Sequence, residues 1–360
     1  MADEPVAEIL AAWGLAGARV EPAPGGHINR SWIVGPGRYF LQRINPAVFP
    51  RGDLVLENVA NVSEHLQAAV RRLGVPDPDR RVLRVLRTGD GRPGVVDPAG
   101  VAWRLLHFIG DAVAHQRAGT WELAAAAGAA FGRFQRLVAD YAGPPLAETI
   151  PGFHDAARRL EQLERAAHRD AVRRAGNLPN ELRFARSRAA YAGVLPPLLD
   201  RGEVPRRVVH NDAKIANLLF DRGSGEPLAV VDLDTVMPGT LLSDVGDLIR
   251  SCATLAAEDE RDPDAITVSI PRVEALLRGF LGESGGVLTA AERAHLVFAG
   301  ILLTWEQGVR FLTDHLEGDR YYRITRPDQN LDRALAQFRL VECLEQARGA
   351  LERLVGALPG

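Results

Sequence analysis

A polar segment enclosed by short apolar runs constrains this chain more than any other feature. Residues 207–210 and 218–220 predict two short strands, and the polar segment from His210 to Asn217 has the pattern H-x-D-x-K-x-x-N. A third apolar run, residues 228–233, predicts a buried strand with Asp232 near its end. Polar side chains at fixed offsets between strands indicate a functional site. The loop residues of the pattern are His210, Asp212, Lys214 and Asn217.

Transfer of a phosphoryl group from ATP to a hydroxyl explains why these residue types occur together. The acceptor hydroxyl must be oriented and deprotonated, for which Asp212 is the candidate. Mg²⁺ accompanies the triphosphate and prefers oxygen ligands, which Asn217 and Asp232 can supply. Lys214 can neutralise charge on the transferred group, and His210 is expected to brace the loop. Each residue alone is more readily explained as an ordinary polar residue, and their combination reverses this and favours a kinase.

Lys214 is also the only lysine among the 43 Lys and Arg residues of the chain. A general drift from lysine to arginine explains the other basic positions but not this one. A compact ammonium beside the proposed base fits the loop, whereas a planar guanidinium would crowd it. We therefore expect that arginine does not replace Lys214 functionally.

The surrounding sequence has two regions of different character. The first hundred residues alternate strand and turn patterns with one long helix, residues 54–73, whereas most of the chain after residue 110 has helical periodicity. This predicts an α+β fold. A small β-rich nucleotide-binding lobe is expected over residues 1–108, and a larger helical lobe for catalysis and acceptor binding over 109–360.

Composition limits the partners of the chain. The formal net charge is −3, so there is no basic excess that would attract nucleic acid. The apolar runs are far too short to span a bilayer, and the acidic N-terminus does not resemble a signal peptide. Only two cysteines occur, and no CxxC motif. We expect a cytoplasmic, monomeric enzyme whose partners are ATP and a small acceptor, without nucleic acid or membrane.

The loop pattern resembles the catalytic loop of the aminoglycoside phosphotransferase and choline kinase superfamily, whose members are relatives of the protein kinases. The segment VDLD at 231–234 is similar to the magnesium-binding segment of that superfamily. Other motifs resemble the N-acetylhexosamine 1-kinase branch: GHIN (26–29), YFLQRIN (39–45), EN (57–58), WR (103–104), IPGFHD (150–155), DLDTVMPG (232–239), DVGDLIR (244–250), GVRFLTD (308–314) and NLDR (330–333).

This resemblance implies a protein-kinase-like bilobal fold. It also implies an enzyme that uses ATP and Mg²⁺ to phosphorylate the anomeric hydroxyl of an N-acetylhexosamine, GlcNAc or GalNAc, to the sugar 1-phosphate. Asp212 and Lys214 would be catalytic, and Asn217 and Asp232 would bind the metal. The implied acceptor-binding residues are His27, Asp212, Asp232, Asp234, Arg310 and Tyr321.

The resemblance also suggests residues for the nucleotide. Gly26 lies in a turn that would cover the phosphates, and the backbone near His107 and Phe108 would face adenine. Kinases pair a strand lysine with a helix glutamate to hold the phosphates, but here the strand carries no lysine.

For that phosphate-holding pair we choose Arg43 with Glu57. Gln42, on the opposite face of the same strand, stays an alternative to Arg43. Arg43 can equally be a surface arginine.

Other functions remain open at this point. The acceptor can be another small hydroxyl compound, such as a different sugar, an aminoglycoside or a choline-like alcohol. The chain can also be a pseudokinase that binds nucleotide without transferring phosphate, for which the missing strand lysine is the best support.

Several acidic residues have further expected roles. Asp234 is expected to share a strand face with Asp232. Asp244 and Asp247 are expected to accept backbone N–H groups around the loop.

Arg310 lies in an apolar helix and needs a partner, for which Asp232, Asp234 and Glu306 are the candidates.

Overall fold

The computed structural model describes residues 5–23 and 28–359, so Gly26 and His27 lie outside the described residues. The α-helices are α1 (Val6–Leu10), α2 (Gly52–Arg72), α3 (Pro78–Arg81), α4 (Trp121–Val138), α5 (Ala156–Arg169), α6 (Pro179–Ser187), α7 (Pro196–Asp200), α8 (Leu241–Cys252), α9 (Ile270–Ser284), α10 (Ala290–Ala294), α11 (Leu296–Glu317) and α12 (Gln329–Ala357). The strands are β1 (Val20–Pro22), β2 (Arg30–Val34), β3 (Tyr39–Arg43), β4 (Val85–Leu86), β5 (Val95–Val96), β6 (Ala102–His107), β7 (Ala112–Ala114), β8 (Arg207–Val209), β9 (Leu218–Asp221), β10 (Pro227–Val230) and β11 (Met237–Gly239).

The chain divides into two compact units. The first extends to Val113 and also includes Asp140–Pro151 and Leu219–Pro238. The second consists of Ala114–Ala139, Gly152–Leu218 and the residues from Gly239 onwards. The first unit is built mainly on antiparallel sheet and the second mainly on helices, which confirms the predicted α+β class.

The larger sheet of the first unit has the strand order β1-β2-β3-β6-β4, with β5 paired to β6, and its strand pairs are antiparallel. The register sets Leu41 of β3 between Trp32 of β2 and Leu105 of β6, and both leucines are fully buried. One residue further along, Gln42 lies opposite Arg104. Because side chains alternate along a strand, the apolar row and the Gln42–Arg104 pair face opposite sides of the sheet.

The backbone turns before Asp232, the residue that we predicted to lie at the end of a strand and to bind the metal. β10 ends at Val230, and residues Leu233–Thr235 form a single 3₁₀ turn. Asp232 has a φ of 62°, in the left-handed region that aspartate adopts more readily than most residues. The predicted strand to residue 233 was therefore wrong, and so was the prediction that Asp232 and Asp234 share a strand face.

In the second unit, α4 and α9 pack closely because glycines replace side chains where the helices meet. A Cβ on Gly128 of α4 would lie 2.0 Å from the carbonyl oxygen of Leu276. A Cβ on Gly279 of α9 would lie 2.3 Å from the carbonyl oxygen of Ala125. The mostly apolar α11 is buried along nearly its whole length, between α5, α8 and α12. No helix in the described part of the chain is both long and apolar enough to cross a membrane.

Two glycines of α9 provide a matched test of this close packing. Gly279→Ala should lower the free energy of unfolding by about 1–3 kcal/mol, because the added methyl meets a backbone carbonyl that cannot rotate away. Gly282→Ala, with no atom within 4 Å of its Cβ position, should raise it by about 0.5–1 kcal/mol through helix propensity. Urea unfolding followed by circular dichroism measures both variants. Equal stabilities would contradict the close approach of α4 and α9.

Candidate active site

The loop between β8 and β9 brings together three of the predicted residues. The Lys214 ammonium donates to both carboxylate oxygens of Asp212, at 3.0 and 2.9 Å. The Asn217 side-chain nitrogen donates to Asp212 twice, to Oδ2 at 2.9 Å and to the backbone carbonyl at 2.8 Å. The 3₁₀ turn Ile215–Asn217 brings the asparagine back towards the aspartate.

The environment of Asp212 keeps its carboxyl ionised. Burial would raise the pKa of Asp212, but the Lys214 ammonium and the Asn217 hydrogen bond lower it. The side chain is still 28 % exposed, so a hydroxyl compound can reach it. Asp212 is therefore an accessible carboxylate that can accept a hydrogen bond from an acceptor hydroxyl at neutral pH.

His210 braces the loop, as predicted. Its ring is fully buried and packs edge-on against Phe131 and Phe134 of α4, with centroid distances of 5.5 and 5.8 Å. The backbone N–H of Asp212 donates to Nδ1 of His210 at 3.3 Å. Because Nδ1 accepts this bond, it carries no hydrogen there, and the ring acts as a structural acceptor.

Asp244, in the first turn of α8, holds the start of the loop. Its carboxylate accepts the backbone N–H groups of His210 at 2.9 Å and of Asn211 at 2.7 Å. The side chain of Gln135 in α4 donates to it at 2.6 Å. Burial raises the pKa of Asp244 despite these donors. The expected capping role of Asp244 is thus confirmed, whereas Asp247 accepts a 2.6 Å hydrogen bond from the Arg250 side chain.

Arg310 of α11 has aromatic rings and an amide as neighbours. Its guanidinium carbon lies 4.8 Å from the centre of the Phe153 ring, 5.7 Å from that of Tyr322 and 6.0 Å from that of Tyr321. Its Nη1 donates to the side-chain oxygen of Gln307 at 3.0 Å. Burial lowers the pKa of Arg310, but the surrounding tyrosines and the carboxylates, Asp212 among them, raise it. The structure thus places Arg310 and Tyr321 together and within the electrostatic field of Asp212.

The loop after α11, which carries Tyr321, is held by Asp314. Oδ1 of Asp314 accepts the backbone N–H groups of Arg320 and Tyr321, at 2.9 and 2.8 Å. Oδ2 accepts the N–H of Tyr322 and the side chain of Asn330, both at 2.9 Å. Two of the outer sequence motifs, GVRFLTD and NLDR, therefore meet at one carboxylate that orders a neighbouring loop.

In the first unit, Asp234 belongs to a buried polar cluster. It forms an ion pair with Arg104, and it accepts a 2.5 Å hydrogen bond from the Asn29 side chain. Nε and Nη2 of Arg104 also donate to the Gln42 side-chain oxygen, at 2.9 and 2.6 Å. Only 1 % of the Arg104 side chain and 4 % of that of Asp234 are exposed. Gln42, the alternative to Arg43, is thus engaged with Arg104, which the sequence analysis noted only as part of the WR motif.

The other predicted nucleotide residues lie on β3, on α2 and at the end of β6. Arg43 is half-buried on β3, where its charge helps to lower the pKa of Asp97, and Glu57 is exposed on α2. The backbone N–H of His107 donates to the Arg84 carbonyl at 2.9 Å. The N–H of Phe108 donates to the Arg38 carbonyl at 3.1 Å.

Two predicted residues remain to be placed. Asp232 is exposed next to the turn that contains Asp234. His27 lies outside the described residues.

Sequence reasoning missed the ring of Phe153, which was noted only as part of a motif. An aromatic residue within the motif IPGFHD was the available signal.

The role of Asp314 can be tested against a neighbour on the same helix. Asp314→Asn should lower the free energy of unfolding by about 1–3 kcal/mol, because an amide nitrogen would replace one of the two acceptors of buried N–H groups. Glu317→Gln, which removes an exposed ion pair with Arg169, should change it by less than about 1 kcal/mol. Hydrogen exchange at residues 320–322 should accelerate only in Asp314→Asn. Unchanged exchange there would show that the carboxylate does not order the loop.

The chain matches a known family model in sequence and several solved structures in fold. Residues 19–276 match the family model APH, the phosphotransferase enzyme family. Similar solved structures include a microcompartment-associated aminopropanol kinase, with 17 % identity, a TM-score of 0.59, and coverage of 97 % of this chain and 98 % of that one. A choline/ethanolamine kinase family protein from Mesorhizobium loti has 17 % identity and a TM-score of 0.57, covering 98 % of this chain and 97 % of that one. A spectinomycin phosphotransferase, solved with ADP and spectinomycin, has 10 % identity and a TM-score of 0.58, covering 96 % of this chain and 99 % of that one.

At these identities the solved structures establish the fold, which is the kinase-like fold predicted from the catalytic loop. The predicted superfamily is confirmed, while the N-acetylhexosamine branch stays a prediction. Because the family model covers well over half of the chain and includes the whole catalytic loop, this chain belongs to the phosphotransferase enzyme family.

Proposed function

We propose that this phosphotransferase moves the γ-phosphate of ATP to the anomeric hydroxyl of an N-acetylhexosamine. The observation that carries the proposal is the accessible, ionised Asp212 carboxylate, on which the Lys214 ammonium and the Asn217 amide converge. A carboxylate held in this way suits the orientation of an acceptor hydroxyl. A protein that only binds nucleotide has no need of it, which favours an enzyme over a pseudokinase.

In the proposed reaction, Asp212 accepts a hydrogen bond from the acceptor hydroxyl and directs its oxygen at the γ-phosphorus. The oxygen–phosphorus bond forms as the bond to the β-phosphate oxygen breaks, and the hydroxyl proton passes to Asp212. Because the pKa of Asp212 is lowered, the carboxylate is a weak base and contributes mainly orientation until the new bond is largely formed. Lys214 stabilises charge on the transferred group.

The donor atoms in this chain fit Mg²⁺. The Asn217 nitrogen is used in bonds to Asp212, so the amide oxygen is the atom left for a metal. Asp232 would supply an exposed carboxylate. Residues 5–23 and 28–359 contain no group of three or more His, Cys, Asp or Glu arranged for a metal. Two oxygen ligands are nevertheless enough, because Mg²⁺ in kinases takes its other ligands from phosphate and water. Bound Mg²⁺ would neutralise phosphate charge.

The cluster around Arg310 favours a neutral sugar as the acceptor. Aromatic rings such as those of Phe153 and Tyr321 can cover the apolar face of a sugar, and a guanidinium donates hydrogen bonds to hydroxyl or acetamide oxygens. The positive charge of Arg310 disfavours a choline-like or aminoglycoside cation at the same place. We propose that His27 and Asp232 also contact the acceptor. We also include Asp234, whose bonds to Arg104 and Asn29 hold the turn beside Asp232.

For the nucleotide, we propose that the turn containing Gly26 covers the phosphates. Arg43 would be the cation that binds the phosphates, and Glu57 would be the carboxylate that pairs with Arg43. Adenine would lie beside His107 and Phe108. Since the backbone N–H groups of both residues are bonded within the first unit, their carbonyl oxygens and rings are the groups left to contact the base.

A panel of acceptors tests the proposed reaction. With ATP and Mg²⁺, GlcNAc or GalNAc should stimulate ADP release at least about 10²-fold more than choline or an aminoglycoside, and ³¹P NMR should show the phosphate on the anomeric oxygen. Asp212→Asn should abolish sugar-dependent ADP release, which excludes a contaminating kinase. Phosphate on another hydroxyl, or a preference for choline, would reject the sugar 1-kinase assignment.

Lys214→Arg should lower kcat by about 10- to 100-fold, because the larger guanidinium displaces the Asp212 carboxylate from its position. The matched control is Arg165→Lys, the reverse exchange at an exposed helix position, which should leave kcat unchanged. Steady-state ADP release with saturating ATP and acceptor measures both variants. Wild-type turnover in Lys214→Arg would show that the site does not require a compact ammonium.

A further inference from the structure

His154 lies between two hydrogen-bond acceptors of the second unit. Its Nδ1 is 2.9 Å from a carboxylate oxygen of Glu306 in α11, and its Nε2 is 2.9 Å from the backbone carbonyl oxygen of Asn211. A carbonyl oxygen can only accept, so Nε2 must carry a hydrogen. An ionised carboxylate also accepts, so Nδ1 must carry one too. Both ring nitrogens of His154 therefore carry a hydrogen, so the ring is an imidazolium beside the ionised Glu306 carboxylate.

His154 contributes directly to the charge balance of Glu306, to which the charges of Arg310 and Arg159 also contribute. Its side chain is only 1 % exposed, and its second oxygen, Oε2, is buried without a hydrogen-bond partner among the residues that the structure describes. A buried carboxylate without a counter-charge is strongly destabilising. Burial would lower the pKa of His154, but the charge of Glu306 and the bonds to Glu306 and Asn211 raise it. The contacts of both ring nitrogens and the raised pKa thus both indicate that His154 is an imidazolium.

The carbonyl that His154 binds belongs to the residue directly before Asp212. Asn211 has a φ of 62°, in the left-handed region, where it needs support from its surroundings. Its N–H is held at 2.7 Å by Asp244, and its C=O is held at 2.9 Å by His154. Both polar groups of this strained residue are therefore fixed, and the peptide that links it to Asp212 has little freedom to rotate.

We propose that His154, as an imidazolium paired with Glu306, is a positioning residue that holds the Asn211 carbonyl and thereby orients the Asp212 carboxylate. The inference rests on the proposed function, because the role of Asp212 as the group that orients the acceptor is part of it. His154 itself touches no reacting atom. Its contribution is the direction in which Asp212 points, so its loss should change kcat and leave the KM for ATP almost unchanged.

Several other groups surround the pair. Nε and Nη2 of Arg159 in α5 donate to the Phe153 carbonyl, at 3.1 and 2.6 Å, and so fix the residue before His154. Arg310 disfavours the imidazolium, and burial raises the pKa of Tyr322 to about 12, so that this phenol is neutral. Among the described residues, the charges that act on the pair itself are those of Arg310 and Arg159, and Arg310 in turn interacts with Tyr322, Tyr321 and Asp212.

The raised pKa fixes the direction of the pH dependence. The imidazolium and its two hydrogen bonds are fully present below the ordinary histidine value of about 6.5, and are lost as the pH rises through the raised value. Above that value the neutral ring can donate to only one of its two acceptors. The orientation of Asp212, and with it kcat, should therefore fall on the alkaline side.

Glu306→Gln separates the charge of the pair from its geometry. The glutamine amide can donate to Nδ1 of a neutral imidazole, whose Nε2–H still donates to Asn211. This variant should keep kcat at pH 7 within about threefold of wild type and should lose the alkaline decrease that His154 causes. His154→Gln cannot bridge both acceptors and should lower kcat at least about tenfold. His168→Gln, at an exposed position of α5, should match wild type.

Two measurements without substrate keep this inference separate from the proposed function. In ¹³C-labelled histidine NMR, the resonance missing in His154→Gln should titrate above about 6.5 in wild type and below it in Glu306→Gln. Amide exchange at Asn211 and Asp212 should accelerate at least about tenfold in His154→Gln and not in Glu306→Gln.

A wild-type His154 that titrates below 6.5, or exchange that is unchanged in His154→Gln, would overturn the inference even if the sugar is phosphorylated. Wild-type kcat in His154→Gln would do the same. Failure of the sugar assay with both NMR results as expected would reject only the proposed function.

Discussion

The catalytic loop depends on one buried carboxylate, that of Asp244. Two consecutive N–H groups, those of His210 and Asn211, point at it, and so does the side chain of Gln135. Without Asp244 the two backbone donors would be buried without hydrogen-bond partners. The left-handed turn at Asn211 would then be strongly destabilised. Because Asp244 lies in the first turn of α8, the positive end of the helix dipole also stabilises its charge. One side chain thus ties α4, α8 and the loop into a single framework.

Each unit contains a further buried carboxylate whose donors or counter-charge hold a local conformation. Asp314 accepts three backbone N–H groups of the loop that carries Tyr321, and Asp234 balances the buried cation of Arg104. In each case a carboxylate is costly to bury, and the cost is offset only when its donors are in place. Such contacts therefore stabilise one loop conformation more than they stabilise the fold as a whole. That is what a site for phosphoryl transfer requires, because its catalysis comes mainly from positioning.

Local pattern was enough to predict the loop and the closeness of Lys214 to Asp212. The offsets between Asp212, Lys214 and Asn217 are short, so a turn between two strands brings the three side chains together whatever the rest of the chain does. The strand before Asp232 could not be bounded in the same way, because apolar residues continue through the point at which the backbone turns. Contacts such as Arg104 with Asp234, 130 positions apart, depend on sheet register and tertiary packing, which composition and periodicity do not contain.

In the proposed reaction, the position of Lys214 would link the strength of Asp212 as a base to the binding of phosphate. In the described structure its ammonium contacts both oxygens of Asp212, and this contact helps to lower the pKa of the carboxyl. In the proposed reaction the incoming phosphates compete for the same ammonium. As Lys214 turns towards them, Asp212 loses its nearest counter-charge, so the pKa of Asp212 rises and its affinity for the hydroxyl proton increases. A compact ammonium on a flexible chain can make this exchange between two anions, whereas a guanidinium bound by two parallel hydrogen bonds would hold the carboxylate too firmly. In the proposed reaction, a cation that must move between two anions would account for the single lysine of a chain whose other Lys and Arg positions are all arginine.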